Sequence, residues 1–62
     1  MKYIIGYVLK NTSIYRKKSV EANDPDEALD MFLFGFPDNL KPIIYNIEDE
    51  NGHPCNLKYH TL

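Results

Sequence analysis

"ANDPDEALDMFLFGFP", residues 22–37, is the stretch on which the fold turns. Asp24 carries the short oxygen-bearing side chain that accepts from the orphan N–H groups of a helix start. Pro25 follows at the first helical position, where a missing N–H costs nothing. Glu27 lies three residues after Asp24 and completes a capping box of the D-x-x-E form. Asp26 and Glu27 also suit the positive end of the helix dipole. Gly35 offers a C-terminal cap, and Pro37 forbids continuation. Together these signals predict one helix over residues 25–34. At about 100° per residue, Ala28, Leu29, Phe32 and Leu33 form one stripe. Met31 lies on its flank, and Phe34 falls nearly opposite. Such a stripe packs on a sheet, and Phe34 is left over. Either the segment "GFPDNLKP" folds over it, using Phe36 or Leu40, or another protein does.

Upstream, residues 2–10, "KYIIGYVLK", are rich in β-branched and aromatic side chains. Tyr3, Ile5, Tyr7 and Leu9 alternate with Ile4, Gly6 and Val8, and both sets are largely apolar. That is the pattern of a central strand covered on both sides. "NTS", residues 11–13, is turn chemistry. Residues 14–22, "IYRKKSVEA", predict a second strand, with Arg16, Lys17 and Lys18 marking a charged edge.

Downstream, "PIIYNIEDENGHPCNLKYHTL" predicts a hairpin turning at Asn51 and Gly52. A three-residue loop over residues 51–53 pairs Ile47 with Leu57, Tyr45 with Tyr59 and Ile43 with Thr61. This register puts apolar partners on one face, and Gly52 supplies the left-handed residue. Pro54 suits the start of an edge strand. The expectation is a single α+β domain over residues 1–62. Its order is ββαββ, with a four-stranded antiparallel sheet in order 2-1-3-4 and one helix packed on one face. If Tyr3, Ile5, Tyr7 and Leu9 face the helix, the uncovered face carries Ile4, Val8, Tyr15 and Ile44. The expected core is Ile5, Leu9, Val20, Leu29, Phe32, Leu33, Ile47 and Leu57.

A chain of 62 residues buries only about 60% of its unfolded surface, so its stability leans on a good core or on association. The one cysteine, Cys55, excludes an internal disulfide and suits a reducing compartment. No apolar run approaches the ~20 residues needed to cross a bilayer. The expectation is a cytoplasmic protein with no membrane contact. A formal net charge of −2 argues against a dedicated nucleic-acid binder.

His53, Cys55 and His60 have metal-ligand chemistry, but His60 lies on the opposite parity from Cys55 and no fourth ligand is evident. Cys55 stands near Glu48, Asp49 and Glu50, which raise a thiol's pKa and oppose nucleophilic use. There is no Gly-rich phosphate loop and no hydrolase signature. No enzyme, metal or cofactor is expected. One alternative is a single-stranded nucleic-acid binder using Tyr15, Arg16, Lys17 and Lys18. Another is an acidic nucleic-acid mimic built on Asp24, Asp26, Glu27, Asp30, Glu48, Asp49 and Glu50.

The leading expectation is a non-enzymatic protein-binding module, self-associating as a homodimer or binding and inhibiting a host protein. Phe34, Phe36, Tyr15 and Ile44 are the expected contact residues. The junction "SVEANDPDEALDMF", residues 19–32, resembles one in small phage- and plasmid-borne proteins of the DpnD/PcfM-like group. There a strand ending V-E-A runs into a helix beginning S/D-x-E-E-A. The resemblance covers about the first half of the chain and carries over no functional residue. It implies a short β-β-α-β module and a phage or mobile-element accessory role, acting on a host factor.

Overall fold

The computed structural model describes residues 1–58 and residue 60. The elements run β1 (Lys2–Val8), β2 (Tyr15–Glu21), α1 (Pro25–Phe34), a 3-10 turn (Asp38–Leu40) and β3 (Ile43–Asp49). β1 is central, antiparallel to both neighbours, and the sheet order is β2-β1-β3. Among the described residues the chain is thus a small α+β unit with one α-helix.

The helix begins and ends where its caps demand. The Glu27 N–H donates to Asp24 Oδ1 at 2.7 Å, which satisfies one orphan donor. The Glu27 carboxylate reaches one residue further back than a standard box, to the N–H and side-chain amide of Asn23, each at 3.4 Å. Gly35 closes the helix in right-handed rather than left-handed geometry, at φ −76°. Ala28, Leu29 and Phe32 are buried on the inner face, against Tyr3, Ile5 and Ile47. Ile5 and Ile47 stand opposite each other and are the largest fully enclosed side chains. Each contributes about 1.5–3 kcal/mol by leaving water. Burial also pushes the Tyr3 phenol up from its ordinary pKa, with the charges of Cys55, Asp24 and Asp49 adding. Val20, Leu33 and Leu57 pack at the margin of this core. Leu9 follows the end of β1 and stays outside it.

The four-stranded sheet and the ββαββ order 2-1-3-4 are overturned: among the described residues the sheet has three strands. The loop after β3 spans residues 50–52, one position earlier than expected. Asp49 sets it. Its Oδ1 accepts from the Asn51 N–H at 2.8 Å and the His53 N–H at 3.0 Å. Its carbonyl accepts from Gly52 at 3.0 Å, and Gly52 takes φ 85°, the left-handed conformation glycine accepts without strain. Ile47 therefore meets Cys55, not Leu57, through the Cys55 N–H to Ile47 O bond of 2.9 Å. The return strand stops at a lone bridge between Glu48 and Pro54. Helix carboxylates then capture the chain. The Lys58 N–H donates to Asp26 Oδ2 at 2.9 Å, and His60 Nε2 lies 2.8 Å from Asp30 Oδ1. The segment crosses to α1 instead of following β3. The expected Tyr45–Tyr59 and Ile43–Thr61 pairs lie outside the described residues.

A second correction concerns β3. Gly6 pairs with Asn46 but Tyr7 with Ile44, so Tyr45 is an extra, bulged residue. The bulge reverses the parity of what precedes it. Ile44 turns to the helix side, half-buried against the core, and Ile43 takes the opposite face, 48% exposed. Gly6 lies beside the bulge. With no side chain there, the Tyr15 ring lies across the strand, and its hydroxyl donates to Asn46 Oδ1 at 3.3 Å. A Cβ on Gly6 would collide with that hydroxyl and with Asn46.

Asp49 gives the turn a pH dependence. The His53 N–H, first, then the Asn51 N–H, the His53 ring and the Gly52 N–H hold its carboxyl below the usual carboxylate range, against the opposing effect of burial. A lowered folded pKa lends stability above the unfolded value of about 4, and that stability disappears as pH falls through the folded value. Urea midpoints measured down through this window should fall more steeply for the native chain than for Asp49→Asn. Parallel curves would show that the turn does not depend on this charge.

Candidate docking surface

The stripe that builds the core leaves α1 with an apolar outer side. Phe34 is 92% exposed and Met31 52%. The segment after the helix does not cover Phe34. Instead the Phe36 N–H donates to Leu33 O at 3.0 Å, and its ring folds onto Phe32 with centroids 5.2 Å apart. Phe32 stacks in turn on Tyr7 at 4.8 Å. The three rings form one tilted column, and Phe34 is outside it. Beside Phe34 lies a shallow depression bounded by Leu33, Phe36, Asp30, Asp38, Lys41 and His60. Its rim is polar and largely self-paired: Lys41 lies 3.5 Å from Asp38, and His60 sits on Asp30. The depression thus sets the exposed Phe34 beside the half-buried Leu33 and Phe36 among polar and charged groups.

The four expected contact residues do not converge. Phe34 and Phe36 share the depression, the first exposed and the second half-buried. Tyr15 is on the other face of the sheet, 6.0 Å from the Tyr45 ring. Ile44 is on the helix side at the core margin. Met31, Ile43 and Tyr45 are exposed apolar residues that the sequence reading did not single out for contact. Met31 was legible as a flank residue of the helix. Ile43 and Tyr45 depend on the bulge, which leaves no local signature.

The charged sets are dispersed. In β2, Arg16 and Lys18 point to the helix side opposite Tyr7 and Ile5, whereas Tyr15 and Lys17 point to the other side. Lys17 Nζ lies 3.9 Å from Glu48. Most of the acidic groups serve the fold: Asp24 and Glu27 cap α1, Asp26 and Asp30 hold the last segment, and Asp49 ties its turn.

His53, Cys55 and His60 also separate. The His53 ring lies 3.6 Å from Asp49, and His60 lies against Asp30 of α1. The Cys55 thiol is held 3.9 Å from the His53 carbonyl. Burial pushes this thiol up, and Asp49 and Glu48 push it further, so it stays protonated at neutral pH. Among the described residues, no three metal-ligating side chains gather into one site, and no helix is long and apolar enough to cross a membrane. No protein-family model matches the chain, nor does any curated protein or solved structure.

Proposed function

We propose that this chain is a non-enzymatic protein-binding module that docks on a host protein through the outer side of α1. The observation that carries the reading is Phe34, a large aromatic 92% exposed on a rigid, well-capped helix. Leaving such a ring in water forgoes about 2 kcal/mol of burial that a partner would recover. A helix also presents it with little ordering cost, because its backbone is already fixed. The resemblance of the strand-to-helix junction to phage- and plasmid-borne proteins supports an accessory role on a mobile element.

Phe34→Ser should weaken the affinity for a partner captured from the native host at least about tenfold, as anchor residues do. The thermal midpoint should hardly move, since a side chain this exposed contributes within about 0.5 kcal/mol to folding. Tyr15→Ser, on the opposite sheet face, should leave capture intact. Equal capture by the native chain and Phe34→Ser would reject the reading.

A further inference from the structure

We propose that β2 is the interface between two copies of this chain, paired antiparallel about a two-fold axis at Ser19 to make one continuous six-stranded sheet. The β2 ladder does not include Phe34, and Met31 and Phe36 border both surfaces, so the test separates this proposal from the docking reading through Phe34 itself.

The argument starts from which backbone groups of β2 are spare. The Met1 amine donates to Ala22 O and the Ala22 N–H to Met1 O, both at 2.9 Å. In an antiparallel ladder such doubly bonded pairs recur at every second residue. With the observed register, Val20, Lys18 and Arg16 therefore bond inward to Tyr3, Ile5 and Tyr7. The N–H and C=O groups of Tyr15, Lys17, Ser19 and Glu21 point away from the sheet. β2 is an edge of that sheet, and such a row of groups is a template for another strand.

Charge then selects the partner and the register. A two-fold centred on Lys17 or Lys18 sets a lysine against its own copy. Centring on Val20 shortens the ladder. Centring on Ser19 sets Ser19 opposite Ser19 and Lys17 opposite Glu21, twice by symmetry. Both pairs fall at positions whose backbone groups point outward, so each pair exchanges two hydrogen bonds. Arg16 then meets Ala22, and Lys18 meets Val20. No like charges are directly opposed, and opposite charges across strands are favourable. The cations on this edge therefore bar the wrong registers and permit this one. Lys17 and Glu21 are well exposed and able to re-pair, with side chains 57% and 76% accessible.

An apolar component lies beside the ladder. The helix leaves an open groove along the inner side of β2, lined by Tyr7, Val20, Met31, Phe32 and Phe36 with Lys18 at its edge. The two-fold brings two such grooves side by side, each with a half-exposed Met31 to fill the space. Methionine suits that adaptable packing.

Sedimentation velocity on the full chain from about 1 µM to about 1 mM should show the mass rising toward twice that of one chain. Lys17→Glu and Glu21→Lys should each weaken dimerisation about tenfold, because two attractive pairs become repulsive. Mixing these two variants should restore a dimer at native concentrations, a rescue that only contact between chains can produce. Ser19→Pro should give a monomer with native circular dichroism, because the N–H it removes is not used within the chain. A native chain that stays monomeric throughout would overturn the proposal. So would a mixture no tighter than either variant alone, or a dimer abolished by Phe34→Ser.

Discussion

Ile5→Ala should remove about half or more of the folding stability. Ile5 is fully enclosed, opposite Ile47 on the central strand and beneath α1. Truncation removes three buried carbons and leaves a cavity between sheet and helix that a short strand pinned on both sides cannot close. Comparable truncations cost about 2–5 kcal/mol. A domain of this size has roughly 3–9 kcal/mol in total. The urea midpoint should fall by more than half, or the transition should lose its folded baseline. Ile5→Val keeps the branched shape and should cost only about 0.5–1.5 kcal/mol. If Ile5→Ala costs no more than Ile5→Val, the core does not centre on this contact.

Asp26→Ala should release the segment after the turn and lower stability by about 1–3 kcal/mol, the range for stranding a donor that has left water. Asp26 is only 6% exposed, in the first turn of α1, and its Oδ2 accepts from Lys58 N–H. Asp26→Asn retains an oxygen at the same place and should lose less. Amide exchange at Lys58 should accelerate strongly in Asp26→Ala, while that of Ile5 changes only with global stability. Unchanged protection at Lys58 would show that packing of Leu57, not this bond, holds the segment.

The parts legible in the sequence were those with local causes. Asp24, Pro25, Glu27 and Pro37 act on their own neighbours, and the helix occupies residues 25–34 as they demand. Alternation in β1 identified the central strand; of the conditional helix-facing set, Tyr3, Ile5 and Tyr7 lie inward and Leu9 does not join the core. What escaped were outcomes of competition between distant groups. Pairing of Ile47 with Leu57 was reasonable for strands considered alone. It lost to the Asp49 carboxylate, which draws the loop one residue upstream, and to Asp26, which takes the Lys58 N–H from 32 positions away. The Tyr45 bulge sits beside Gly6 and Tyr15 on other strands. Ile44 was placed on the wrong face because of the bulge, and Tyr15 proved to be packed over a glycine. The candidate surface was partly legible: helical geometry isolated Phe34, but nothing local revealed that Phe36 would join Phe32 instead.

The bulge at Tyr45 has an evolutionary corollary. One surplus residue there already absorbs a mismatch in length, so the span joining α1 to Ile47 can gain or lose a position without dislodging the enclosed pair Ile5 and Ile47. Deleting Tyr45 would remove one exposed ring while leaving Ile44 opposite Tyr7, Ile43 opposite Val8 and the strand beyond Asn46 in place. Related chains could thus remodel one outer surface in a single step while inheriting an intact interior.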